Sequence, residues 1–153
     1  MSSQLNNQQA KQLIETLINS GCTIEELSLW ENNLNGDLNF LSKIKQFHSS
    51  LKLLNLADND LSKSIEHIIE ILNNCPLIEA LDLGNCFLSD SDVEKLCCAL
   101  KSHPNLTSLS LDYNKKLTSK SIRCIKDLLQ HKKTLKHVGL LGIYNRQTRC
   151  VIS

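Results

Sequence analysis

The chain repeats itself. Residues 24–34 (IEELSLWENNL), 51–61 (LKLLNLADNDL), 78–88 (IEALDLGNCFL) and 106–117 (LTSLSLDYNKKL) align in register, and a fifth, weaker copy begins at Leu135 (LKHVGLLGIYN). The starts lie 27, 27, 28 and 29 residues apart. No single unit of this length can bury its own apolar face. Neighbouring units must stack, and the stack then shares one continuous core. The 29 leucines supply that core, because aromatic residues make up only 4% of the chain.

Each unit has the form L-x-x-L-x-L-x-x-N/C-x-L. Apolar residues two apart, such as Leu27 and Leu29 or Leu54 and Leu56, lie on one face of a short strand. Asn32, Asn59, Cys86 and Asn114 hold the ninth position, where a side chain can satisfy backbone groups inside the coil. The fourth unit has one residue more before Leu117, which predicts a bulged loop. The fifth has Ile143 at its ninth position.

Helix-period stretches separate the strands. Ile65, Ile68, Ile69 and Leu72 share one face after Ser64. Val93, Leu96, Cys97 and Leu100 do so after Asp90, and Ile125, Leu128 and Leu129 after Ser121. Pro76 and Pro104 follow the first two of these stretches, where a helix cannot continue. An opening helix over 8–19, with Leu13, Ile14, Leu17 and Ile18 apolar, should cap the first strand.

These motifs resemble the leucine-rich repeat family, in the class of 28–29-residue units with a full helix that includes ribonuclease inhibitor. The resemblance covers about residues 5–144. It implies an α/β fold, a right-handed solenoid with a parallel sheet on the concave side and helices on the convex side. The expected organisation is a repeat domain over 1–144 and a basic tail over 145–153.

With Leu27 and Leu29 inward, Glu26, Ser28 and Trp30 point to the concave side. One column then runs Ser28, Asn55, Asp82, Ser110, Gly139. The next runs Trp30, Ala57, Gly84, Asp112, Leu141, flanked by Glu31, Asp58, Asn85, Tyr113 and Gly142. Glu26, Trp30, Glu31, Asp58, Asp82, Asp112 and Tyr113 are the candidate partner-binding residues: an acidic face with aromatic anchors, suited to a basic protein surface. Two readings of Trp30 stand, interface anchor and packing against the N-terminal cap.

Catalytic signatures are missing. There is no Gly-rich phosphate loop, no H-E-x-x-H and no paired C-x-x-C. Cys97, Cys98 and His103 are near in sequence, but Cys97 sits on an apolar helix face, which argues for a core thiol over a metal ligand. The odd number of cysteines, seven, reads as reduced thiols rather than a disulfide framework. A binding protein with no cofactor, no metal and no enzymatic activity is expected. The basic end lacks the aromatic pattern of a nucleic-acid binder, so nucleic acid is not an expected partner.

Charge is unevenly spread. Residues 1–114 carry 7 Lys/Arg and 15 Asp/Glu, net −8, whereas 115–153 carry 10 Lys/Arg and one Asp, net +9. The basic end closes on Cys150-Val151-Ile152-Ser153, which fits the C-a-a-X pattern for farnesylation of Cys150 by a prenyltransferase. One lipid chain needs a second signal. Lys132, Lys133, Lys136, Arg146 and Arg149 are the expected contacts to an anionic membrane surface. The sequence therefore predicts a protein-binding adaptor on a cytosolic membrane face. The alternatives are a regulator or inhibitor of an enzyme such as a small GTPase, and a soluble scaffold without lipid. A repeat domain with a C-a-a-X tail is also similar in layout to host-targeted bacterial effectors, which would place the chain in a host cytosol and give it a part in virulence.

Overall fold

The structure, a computed structural model, describes residues 4–143. Tyr144 and the expected tail over 145–153, with Arg146, Arg149 and the lipidation candidate Cys150, lie outside the described residues.

Five three-residue strands, β1 (Glu26–Ser28), β2 (Leu53–Asn55), β3 (Ala80–Asp82), β4 (Ser108–Ser110) and β5 (His137–Gly139), form one parallel sheet in chain order. The register stacks equivalent leucines: Leu27 opposite Leu54, Leu54 opposite Leu81, Leu81 opposite Leu109, and Leu109 opposite Val138. All five of these side chains are buried. So are Leu29, Leu56, Leu83 and Leu111, two residues further on. This is the period-2 alternation expected from the motif.

Helices α1 (Asn7–Asn19), α2 (Ile65–Asn74), α3 (Asp90–Ser102) and α4 (Ser119–His131) line the other side of the core, with the segment Asn39–Phe47 packed between α1 and α2. Helix α1 opens with a capping box, in which Asn6 accepts from the Gln9 amide and the Gln9 side chain accepts from the Asn6 amide. Its Ala10 and Ile14 are fully buried, but Leu13 turns outward instead of joining them. Helix α3 begins at Asp90, with Ser89 and Asp92 as its capping box.

Asn39–Phe47, between the first two units, winds as a 3₁₀ helix. It buries Phe40, Leu41, Ile44 and Phe47, and the last three, spaced by three, line up on one 3₁₀ face.

The ninth-position side chains form a ladder through the interior. The Asn59 side-chain amide donates to the carbonyls of Leu29 (2.8 Å), Leu56 (3.0 Å) and Ala57 (3.1 Å), and its oxygen accepts the Leu34 amide at 3.3 Å. Asn114 repeats this, donating to Leu83 and Leu111 and accepting from Cys86 and Leu88. Each asparagine thus joins its own turn to the preceding unit, leaving few buried backbone groups unpaired. Cys86 supplies only the donor half of this pattern. Its thiol donates to the Leu56 and Gly84 carbonyls, both at 3.3 Å. It is too short to return an acceptor.

Ser64 and Asp90, which open helical stretches in the sequence, act across units. The Ser64 hydroxyl makes no bond to its own helix. It donates to the Gly36 carbonyl and accepts the Leu38 amide. Asp90 reaches the start of α4, where its carboxylate accepts the Thr118 amide (2.9 Å), the Thr118 hydroxyl (2.6 Å) and the Ser121 hydroxyl. Burial would raise this carboxyl's pKa, but the Ser121 and Thr118 bonds outweigh burial and bring it down to about 2.

Candidate protein-binding face

The side of the sheet away from the helices is covered by no other element among the described residues. Its shape is set by a turn repeated at each strand's exit. Glu31, Asp58, Asn85, Tyr113 and Gly142, the flanking column of the sequence alignment, all have positive φ, between 51° and 73°. Asn, Asp and Gly tolerate this left-handed region, whereas Glu31 and Tyr113 hold it against their preference. The turn lifts these side chains out of the core at one rim of the sheet.

A second device holds the strand ends. The Ala57 amide donates to the Asn55 side chain at 3.0 Å, and the Gly84 amide to the Asp82 carboxylate at 2.9 Å. These are Asx turns, in which a side chain substitutes for a missing strand partner. In the fourth unit Asp112 takes over and accepts the Leu141 amide at 2.6 Å. Gly139 makes this possible, since a Cβ there would meet the Asp112 carboxylate at 2.7 Å.

The predicted site residues therefore divide. Glu26 and Glu31 are exposed and make no side-chain hydrogen bond or ion pair among the described residues. Asp58, Asp82 and Asp112 are half-buried and hold neighbouring groups in place. Trp30 does not pack under the N-terminal cap as a buried residue; it is more than half exposed, and its indole N–H donates to Asp58 at 2.6 Å. Tyr113 is equally exposed and lies against Gly142, whose Cβ, if present, would be 2.7 Å from the Tyr113 ring. In the column of Trp30, Ala57 and Gly84 are buried and present almost nothing outward.

Two contributors escape sequence reasoning. Phe87 is half exposed at positive φ, where the equivalent Asn33 and Asp60 are polar. An apolar residue in a polar loop position is its signal. Asn85 donates to Asp58 at 2.7 Å and so joins the Trp30 pair. Over the middle strands lies a depression of about 190 Å³ beside Asn55, Ala80, Asp82, Ser108 and Ser110. It is smaller than the roughly 300–1,000 Å³ of small-molecule pockets, and suits individual side chains of a macromolecule better.

Charge is sorted between the two sides. Among the described residues, the ion pairs lie on the helices or just ahead of the strands: Lys43–Glu15, Lys45–Glu70, Lys52–Glu25, His67–Asp37, Lys95–Glu66 and Lys101–Asp127 among them. None involves Glu26, Glu31, Asp58, Asp82 or Asp112. Ion pairs between units thus neutralise part of the helix side, as far as Asp127 on α4, whereas the carboxylates of the open sheet face have no such pairs among the described residues.

One expected membrane contact is overturned. Lys132 is buried, and its ammonium donates to the His103 carbonyl. Burial lowers its pKa. His103 is likewise buried rather than a surface histidine. Its Nε2 faces the Cys75 carbonyl at 3.1 Å, and its Nδ1 has no partner among the described residues. Cys75, His103 and Lys132 each stand three residues before the leucine or isoleucine that opens the next unit, and in that column each reaches a carbonyl of the preceding unit. Lys133 and Lys136 are exposed, as expected.

No protein-family model matches the chain. It is similar to the NACHT, LRR and PYD domains-containing protein 9 of Bos taurus, with 30% identity over 154 residues that take in 97% of this chain. The chain spans about 15% of the length of that relative. Among solved structures it is similar to the leiomodin-1 actin-binding site 2, with a TM-score of 0.68, 18% identity, and coverage of 84% of this chain and 77% of that one. The second likeness is one of fold. With the stacked L-x-x-L-x-L units and the five-stranded parallel sheet, the first marks the repeats as leucine-rich in type.

Proposed function

We propose that this chain is a non-enzymatic, protein-binding repeat scaffold whose open sheet face captures a basic protein surface. The observation that carries this is the sorting of charge. On the helix side Glu15, Glu66, Glu70 and Asp127 each pair with a lysine of an adjoining element, whereas Glu26, Glu31, Asp58, Asp82 and Asp112 on the sheet face pair with no cation among the described residues. Trp30, bonded to Asp58, and Tyr113, next to Asp112 in the chain, stand exposed and supply the apolar anchors of an interface. The coil is taken as right-handed, the hand that parallel strand–helix–strand connections adopt almost without exception. The structural neighbour agrees in kind, being an actin-binding site.

The test is capture by wild type and by Glu26→Lys/Glu31→Lys. These two carboxylates hold nothing else in place, so the fold is untouched. Partners retained by wild type should be lost on the variant; unchanged capture sinks the assignment. Reversal at Asp58, Asp82 and Asp112 would not serve, because each also anchors a turn or a neighbour.

The location proposed for this scaffold is a cytosolic membrane face, through a farnesyl group on Cys150 and nearby cations, in the host cytosol if the chain is an injected effector. Support comes from the C-a-a-X residues and the basic end. Intact mass after expression in eukaryotic cells, with Cys150→Ser alongside, tests it. A gain of farnesyl with loss of Val-Ile-Ser and methylation is expected. An unmodified mass beside a modified control protein would remove the tether.

A further inference from the structure

Cations are distributed along the coil in an order the ion pairs make visible. Lys43, Lys45, Lys95 and Lys101 are each held by a carboxylate of an adjoining helix. At α4 this ladder stops. Its one carboxylate, Asp127, is engaged by Lys101 at 2.6 Å and by His131 at 3.4 Å. Lys120, Arg123 and Lys126 have no carboxylate partner among the described residues, and neither do Lys133 and Lys136.

Their placement is regular. Helix α4 buries Ser121, Ile125 and Leu128. Lys120, Arg123 and Lys126 are exposed and fall three apart, which runs them in a stripe along the opposite side. Lys133 and Lys136, also exposed, continue from the end of the helix towards β5.

We propose that this stripe is a docking surface for an anionic lipid bilayer. The proposal deepens the membrane reading above and rests on it for the choice of partner. It moves the contact from the buried Lys132 to α4. Charge complementarity gives the occupant: five separate ammonium and guanidinium groups, spread along α4 and the segment after it, match the diffuse charge of a lipid surface. Residues 115–143 contain no Phe, Trp or Tyr, so this surface lacks the large aromatic platforms on which nucleic-acid bases stack best, the imidazoles of His131 and His137 being its only rings. Docked by α4, the coil keeps its acidic sheet face on the other side of the molecule, where the same lipids do not repel it.

The test uses the full chain carrying no lipid, confirmed by mass, so that failure of the prenyl tether leaves the result untouched. Co-sedimentation is measured with phosphatidylcholine vesicles, with and without about one-third phosphatidylserine, at about 0.1 M salt. Binding should require phosphatidylserine. Lys120→Glu/Arg123→Glu/Lys126→Glu should weaken it by at least roughly tenfold. The neutral triple variant to Gln should weaken it less, and circular dichroism checks that both are folded. Lys11→Glu/Lys63→Glu/Lys95→Glu, with the same charge change elsewhere, should stay close to wild type. Equal recovery on both vesicle types, or equal loss in the two Glu triples, would overturn the proposal. So would a short DNA duplex that binds more tightly than the vesicles at the same salt.

Discussion

One oxygen of the Asp58 carboxylate accepts the Trp30 indole N–H at 2.6 Å, while the other takes the Asn85 side-chain amide at 2.7 Å. A single acid on the second unit thus ties together the open faces of the first three. It holds an exposed tryptophan in one orientation before any partner arrives, which reduces the entropy lost on binding.

Trp30 is the only tryptophan, so its fluorescence reports this contact alone. Asp58→Ala should make the emission more accessible to acrylamide quenching and should cost about 1–2 kcal/mol of stability, because the lost bonds are partly solvent-exposed but Ala tolerates the positive φ of this position less well than Asp. Quenching identical to wild type would mean that Asp58 does not fix the ring.

Inside the coil the asparagine ladder carries more weight. Asn59→Ala and Asn114→Ala each strip a fully packed turn of its donors and acceptor. A loss of about 2–3 kcal/mol in urea unfolding is expected for each. Asn32→Ala should cost less, since Asn32 is half exposed and water can replace its bonds.

Acid should attack the joint between α3 and α4. The Asp90 carboxyl sits at about 2 in the fold against an ordinary value of 3.8. A depressed carboxylate stabilises the fold fully above the unfolded value, and that stability is lost as pH falls through the folded one. The contribution is on the order of 1 kcal/mol once partial exposure is allowed for, and it should vanish between about pH 4 and pH 2. Asp90→Asn should flatten this part of the stability–pH curve. An unchanged curve would show that the carboxylate does not cap α4.

His103 gives a second, higher window. Burial lowers its pKa below 6.5, the Cys75 carbonyl works against this, and the nearby Lys132 charge adds to the lowering. The fold therefore favours neutral His103. Its contribution is complete above about pH 6.5 and declines as pH falls through the lowered value. His103→Asn should remove that decline, seen by comparing thermal midpoints across the range.

Thiol reactivity separates the cysteines. Burial pushes Cys75 up to about 11, and Cys86 and Cys97 up to about 12. Cys22 and Cys98 are exposed. Brief alkylation of the native protein, mapped by mass spectrometry, should label Cys22 and Cys98 and spare the other three until denaturant is added.

Much of this is legible in the residues. The strands follow from paired leucines such as Leu54 and Leu56, because a period of two has one structural meaning at a turn-bounded site. The open face follows from the same alternation. The winding of the 3₁₀ helix escapes because Phe40, Leu41, Ile44 and Phe47 suit one face of an α-helix equally well, and Lys132 escapes because a charged side chain ordinarily signals exposure. Its alignment with Cys75 and His103 is the available signal, since a buried column in two units implies one in the third. The paired roles of Asp58 and Asp90 depend on contacts 27–31 residues away in sequence, and no local pattern encodes them.

Capture of partners is the role assigned to the open sheet face. Photo-cross-linking probes it without intermediaries, with a benzophenone amino acid placed at Glu31 on that face or at the exposed Glu94 on α3. Position 31 should give a partner adduct that is lost when Glu26→Lys is added, and position 94 should give little. Adducts from position 94 alone would put the binding surface on the helices and contradict the assignment to the sheet.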